Sequence, residues 1–234
     1  MALDAARSGF APPLSLRDVA VDAPDGRALL RVGALDIGPG EAVGIRGPSG
    51  AGKTTLLHVM AGLIRPARGA VRWGDTDLAT LDEAARDAFR RRSLGLIFQD
   101  FLLFEELSPL GNAAVAAAWA PAAERPEIRA RAAGLLDRLG VPPGARGVSG
   151  FSGGERQRVA AARALAADPA AVLADEPTAS LDRVSADRLV GDLLALARER
   201  GRTVIAVSHD AAVIAAMDRV IEVADGAVVA AGAA

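Results

Sequence analysis

The sequence contains no cysteine and no tyrosine, only two histidines, and a single lysine, Lys53, among 27 Lys and Arg residues. Without cysteine there is neither a disulfide framework nor a thiolate-ligated metal site, which fits a reducing compartment. Long hydrophobic runs are missing too. The longest charge-free apolar stretch, 113–123, is mostly alanine and holds Pro121, whereas a membrane-spanning helix needs ~20 residues. The start, MALDAARSGFAPPLSL, lacks the basic segment and apolar core of a signal peptide. The expectation is a chain soluble by itself, with any membrane role supplied by a partner. A net charge of -2 gives no reason to expect a nucleic-acid partner.

What is present is a hydrophobic content of 51% in 234 residues, enough for one large α/β domain with a subdomain grafted on. Abundant Ala, Gly and Arg point to a compositional drift that replaced lysine wherever arginine would serve. Lys53 then marks a place where a compact ammonium is needed and a planar guanidinium is not tolerated.

Residues 1–13 read as loose. From Leu14 to Ile37, short apolar runs broken by Pro24-Asp25-Gly26 and by Gly33 predict antiparallel strands. Ala42–Ile45 predicts a buried strand, and 53–61 a helix stopping at Gly62. Thr80 and Glu83 have capping-box spacing before an Arg-rich helix to Arg92. The segment 100–150 reads as helical with breaks at Pro109, Pro121, Pro126 and Pro142-Pro143. Ala171–Ala174 and Thr203–Val207 are apolar at every position, as central parallel strands are. Val220–Val229, with Asp225-Gly226, predicts a closing hairpin.

Three segments carry chemistry. Gly47-Pro48-Ser49-Gly50-Ala51-Gly52-Lys53-Thr54 matches G-x-x-x-x-G-K-[ST] between a strand and a helix. Its glycines allow backbone N–H groups to surround phosphate oxygens at a helix N-terminus, with Lys53 reaching the β- and γ-phosphates and Thr54 ligating Mg²⁺. The strand before Asp175-Glu176 places Asp175 beside that metal and Glu176 where it can accept a proton from water. In Phe151–Gln157, Ser152 and Glu155 have capping-box spacing, while Gly153 and Gly154 leave N–H groups open to an anion. With a phosphate loop already in the chain, the simplest use of this second anion site is the γ-phosphate of ATP held by another subunit.

GPSGAGKTT, LIFQD, FSGGERQRVAAARAL, VLADEPTASLD and AVSHD occur in the order and spacing of ATP-binding-cassette (ABC) transporter ATPases. The resemblance runs from about Leu14 to Val229. It is most similar to the branch that energises lipoprotein release, macrolide export and the cell-division cassette. It implies that Thr55 joins the nucleotide-binding loop and that Gln99 touches Mg²⁺ and the catalytic water. It further implies that Ser180-Leu181-Asp182 crosses a dimer interface and that His209 contacts the γ-phosphate. The other histidine, His58, reads as ordinary helix structure. Phe101, Leu102, Leu103, Phe104 and Leu107 suit either core packing or a groove for a helix of a membrane partner. One family feature is missing: the aromatic that stacks on adenine aligns with Ala23, leaving Val21 or Arg27 as candidate covers for the base.

The fold implied is a P-loop NTPase of class α/β. It has a RecA-like core (14–90 and 160–230), an N-terminal antiparallel β region and an inserted helical subdomain (91–159). The function implied is ATP hydrolysis with Mg²⁺ by a homodimer, or cassette pair, closing around two ATP. That closure would drive a separate membrane permease from the cytoplasmic face of the membrane. A regulatory cassette that signals to cell-wall enzymes without transport fits the same motifs. A DNA-associated cassette would need a long coiled coil or zinc element, and only about fifty residues separate Gln99 from Ser152.

Overall fold

A computed structural model describes residues 11–141, 147–179 and 181–233. The chain opens with an antiparallel pair, β1 (Leu14–Asp22) and β2 (Ala28–Ile37), followed by β3 (Ala42–Arg46) and α1 (Lys53–Met60). Then come β4 (Arg68–Trp73), β5 (Thr76–Asp77), α2 (Glu83–Ser93) and β6 (Leu94–Ile97). A helical stretch holds α3 (Pro109–Ala113), a 3₁₀ turn at Val115–Ala118, α4 (Arg125–Arg138) and α5 (Gly153–Ala166). The second half runs β7 (Ala171–Asp175), α6 (Arg183–Arg198), β8 (Thr203–Val207), α7 (Ala211–Ala215), β9 (Arg219–Ala224) and β10 (Ala227–Ala233).

The ten strands among the described residues join one sheet in the order β5-β4-β1-β2-β10-β9-β3-β8-β7-β6. The segment β9-β3-β8-β7-β6 is parallel throughout, the β1–β2, β1–β4 and β4–β5 pairings are antiparallel, and β10 joins β2 in parallel and β9 antiparallel. Strand alternation explains why the central runs are apolar at every position. In β7, Val172 and Ala174 face a core built with α3 to α6, while Ala171 and Leu173 face one built with α1 and the antiparallel region. In β8, Val204 and Ala206 join the first, Ile205 and Val207 the second.

The strand and hairpin expectations for 42–45, 171–174, 203–207 and 220–229 match these elements. Several details differ. Gly33 lies inside β2 and interrupts nothing. The cap of α2 is Asp82, whose side chain accepts from the Ala85 amide, while the Thr80 hydroxyl donates to Asp77 O at 2.8 Å. Asp82 wins because its carboxylate reaches the open first-turn donor from the N-cap position itself. Pro109 and Pro126 open helices rather than break them, since a first-turn residue needs no N–H donor.

Residues 100–108 are not helical. Fully buried Asn112 holds that loop, accepting from the Phe104 amide at 2.8 Å and donating to Phe104 O at 2.9 Å. β6 falls within 91–159 yet pairs in parallel with β7, so the helical insertion is entered only after Ile97. Pro142 and Pro143 lie outside the described residues.

The approach of α5 to β6 depends on Gly95. A Cβ there would sit 2.3 Å from Ala164 O and 3.1 Å from Pro169 Cγ. Gly95→Ala should therefore destabilise the fold by ~1–3 kcal/mol, as overpacking does. Gly134→Ala, on α4 with nothing within 4 Å of its Cβ, should stabilise by ~0.5–1 kcal/mol through helix propensity. Urea titrations of the two variants check the pair of signs.

Candidate functional site

Because β3, β6, β7 and β8 are parallel and in register, Ile45 pairs with Val207, Asp175 with Val207, and Ile97 with Ala174. The segments that leave these strands emerge together at one edge of the sheet, where ligands bind in open α/β folds. They begin at Gly47, Phe98, Glu176 and Ser208.

Gly47 starts the loop after β3 at φ 155°, and a Cβ there would lie 1.9 Å from Val223 O. Only glycine lets the loop run so close to β9. Lys53 Nζ donates to Gly47 O at 3.0 Å and Pro48 O at 2.8 Å, so the ammonium folds back over the loop. The first turn of α1 holds no acidic residue and no side-chain cap, which leaves its N–H groups and positive dipole end to an anion.

Asp175 ends β7 at 6% exposure, and its Oδ1 has no hydrogen-bond partner. Burial pushes its carboxyl up, the Thr54 hydroxyl, His58 and Lys53 pull it down, and Glu176 pushes it up again. A buried carboxylate oxygen without a donor, beside a hydroxyl, is a fitting ligand for a hard cation. Asp175 and Thr54 therefore suit Mg²⁺.

Glu176 follows at φ 48°, a left-handed conformation disfavoured for residues other than glycine. Its Oε2 lies 2.9 Å from His209 Nδ1 and 3.4 Å from both Ser208 Oγ and the His209 amide. The carboxylate is thus largely shielded while the His209 ring is 75% exposed. The pair can hold a water molecule and accept its proton.

Gln99 is exposed one residue beyond Phe98, which packs edge-on to His58 at 6.4 Å. His58 thus braces α1 against the end of β6, the structural role expected of it. Gly47–Thr55, Gln99, Asp175, Glu176 and His209 share one edge of the sheet.

Ser152–Glu155 stands apart and makes no hydrogen bond to those segments among the described residues. It forms a complete capping box: Ser152 N and Oγ donate to Glu155 Oε2 at 2.9 and 2.8 Å, and Glu155 N donates back to Ser152 Oγ at 3.3 Å. Those bonds from Ser152 hold the Glu155 carboxyl below the usual range. Leu181 packs close to Gly154, 2.8 Å from where a Cβ would stand, and Ser180 lies outside the described residues.

The ABC transporter family pattern matches residues 30–179. The chain belongs to the ABC transporter family. It is 44% identical over 226 residues to the macrolide export ATP-binding/permease protein MacB 1/2 of Paracoccus denitrificans. It is 40% identical over 193 residues to the lipoprotein-releasing system ATP-binding protein LolD of Hyphomonas neptunium. The first match covers 94% of this chain but 33% of its relative, the second 82% and 84%. The chain thus spans about a third of the length of the macrolide relative. Its fold matches the ATP-binding cassette MJ0796, solved as a dimer bound to ADP and Pi, with TM-score 0.85 and 33% identity over 94% of this chain and 98% of that one. The P-loop NTPase fold expected from the motifs is therefore the fold of the cassette.

Some parts of the site have weak sequence signals. Ser208 is fully buried and its Oγ accepts from the Asp210 amide at 3.1 Å, bracing the turn that carries His209. Gln157, also fully buried, donates to Pro177 O beside Glu176. Trp119 and Leu110 are 64% and 42% exposed, yet sit in an alanine-rich stretch whose periodicity does not single them out. Of the proposed adenine covers, Val21 is 6% exposed and packed in the core; it offers no face to a base. Ala23 lies in a turn closed by its amide on Arg27 O at 2.8 Å, and Arg27 is exposed.

Asp175 also sets a pH dependence. Its folded pKa is raised, so its contribution to stability is fully present below the unfolded pKa and is lost as pH rises through the folded one. Asp175→Asn should therefore raise the melting temperature in metal-free buffer at neutral pH, and the gain should shrink on acidification through the carboxylate range. Melting curves at the two pH values test this. A gain of equal size at both would assign the effect to packing rather than charge.

Proposed function

We propose that this cassette hydrolyses ATP with Mg²⁺, that two copies close head to tail around two nucleotides, and that closure drives a separate membrane permease. The observation that carries the reading is the partnerless Asp175 Oδ1 beside Thr54, at the end of a strand whose next residue is Glu176. Each site would use Gly47–Thr55, Gln99, Asp175, Glu176 and His209 of one chain and Ser152–Glu155 of the other. The dimeric state of MJ0796 supports that stacking, as does the lack of any hydrogen bond, among the described residues, from Ser152–Glu155 to the other site residues.

Lys53 and the loop amides would bind the β- and γ-phosphates, and Lys53 would exchange its two carbonyl partners for phosphate oxygens. Thr54, Asp175 and Gln99 would hold Mg²⁺, which when bound neutralises charge on the β- and γ-phosphates. Glu176 would take a proton from water as the water oxygen bonds to the γ-phosphorus and the bond to the ADP oxygen breaks. His209, paired with Glu176 at 2.9 Å, would position that carboxylate and meet the γ-phosphate.

The permease side is supported by the surface near Gln99. Leu103 packs on the helical core, while Leu102, Phe104 and Leu107 are 56%, 50% and 37% exposed. The apolar residues after Gln99 thus divide between core and surface. Trp119 and Leu110 add further exposed apolar area. No helix among the described residues is long and apolar enough to cross a membrane, so the cytoplasmic-face location proposed depends on that partner. The similarity to LolD over 84% of its length favours a system of the lipoprotein-release and macrolide-export branch.

Glu176→Gln should bind ATP and lose ~10²–10⁴ of the hydrolysis rate, the range of a general base. It should accumulate an ATP-bound dimer on gel filtration with Mg²⁺. Turnover near the native rate would remove Glu176 from the mechanism, and a monomer in every nucleotide state would remove the sandwich.

A further inference from the structure

Arg163 lies on α5, ten residues after Gly153, which at 1.5 Å per residue is roughly 15 Å along the helix from the Ser152 cap. Its guanidinium is only partly exposed, and burial pushes its pKa down, with no carboxylate opposing. Among the described residues it forms no ion pair. Its partners are two successive carbonyls of the segment after Gln99: Nη2 donates to Phe101 O at 2.7 Å and Nη1 to Leu102 O at 2.5 Å. Both residues are left-handed, Phe101 at φ 59° and Leu102 at φ 48°. Two successive carbonyls gripped by one side chain form one double acceptor. That matches the fork of a guanidinium.

The strained turn, two residues beyond Gln99, carries Leu102 and Phe104 on its outer side. The same helix meets the other half of the site at Gln157, which donates to Pro177 O next to Glu176. α5 is therefore tied at one point to the Gln99 segment, at another to the Glu176 segment, and ends in the capping box at Ser152.

We propose that Arg163 is a positioning residue that locks the turn after Gln99 to α5, so that displacement of the apolar surface at Leu102 and Phe104 is passed to the Ser152–Glu155 end of the helix. This rests on the function proposed above for its link to turnover, but its structural half is measurable without any activity.

The test is hydrogen exchange by mass spectrometry on the native chain and on Arg163→Met, Arg163→Lys and Arg131→Met. Protected amides exist at both ends: Phe101 and Leu102 bond to Phe98 O and Asp100 O, and Phe151 and Arg156 to Val148 O and Ser152 O. Arg131 is the control, since its Nε braces the far end of α5 by donating to Ala166 O at 2.8 Å. Arg163→Met should speed exchange about 10- to 100-fold over 98–104, the effect of losing a charged hydrogen-bond donor. It should also speed exchange over 150–157, and lower kcat for ATP with KM nearly constant.

Arg163→Lys should lie between, because one ammonium cannot fork two carbonyls; it carries the test if the methionine variant fails to fold. Arg131→Met should leave 98–104 as in the native chain. Loosening confined to 98–104 would make Arg163 a local brace and overturn the proposal, as would exchange unchanged at both ends or a lysine variant identical to native. Exchange altered at both ends with kcat unchanged would leave the coupling standing and count against the ATPase assignment of Gln99.

Discussion

A carboxylate buried without a donor for one of its oxygens is the constraint on which the rest of the structure turns. Asp175 sits at the end of a strand flanked on both sides by other strands, between cores that together bury every residue of β7. Burial costs the charged form, and only part of that cost is offset by Thr54, His58 and Lys53. The fold thus keeps a negative site that a cation can satisfy better than the protein does. Three of the segments proposed to present that cation to a phosphate are placed by the parallel register of β3, β7 and β8. The phosphate loop leaves the first, Glu176 the second, and His209 the third. Strain collects at the same edge, in Glu176, Phe101 and Leu102, as it does where backbone geometry serves a site.

Much of this was readable in the residues. Strands buried on both faces must be apolar at every position, so 171–174 and 203–207 declared themselves, and the Asp225-Gly226 turn declared the hairpin. The phosphate loop was readable because its glycines answer to close backbone approach, seen most sharply where Gly47 passes Val223 O. Other features depend on which of several local options tertiary contacts select. Thr80 and Asp82 could both cap α2, and the side chain that met the Ala85 amide prevailed. The run 100–108 has helix-forming leucines, but Asn112 ties its backbone into a loop. Arg163 looks in sequence like any arginine of a polar helix face, and its role appears only once the two carbonyls are brought against it.

The dimerisation proposed above rests on the same logic of incompleteness. The capping box at Ser152 satisfies the amides of Ser152 and Glu155 internally, while Gly153 and Gly154 keep the helix start slim and free of side chains. Leu181, packed on Gly154, carries the loop after Glu176 against that helix start. On the proposed function, one chain would supply the triphosphate site and, separately, a contact for the far side of another chain's γ-phosphate. Under that proposal, neither would be complete without a second copy.

The claim that each active site is shared between two chains can be tested by mixing two inactive variants. Lys53→Ala removes the phosphate contact, and Ser152→Asp keeps a competent helix cap while setting a negative charge against the γ-phosphate. In a mixed dimer, one site inherits both defects and the other neither. Equimolar mixing should restore about one quarter of native ATPase turnover, since random pairing makes half the dimers mixed and each keeps one intact site. A mixture as inactive as its components at every ratio would contradict the shared site.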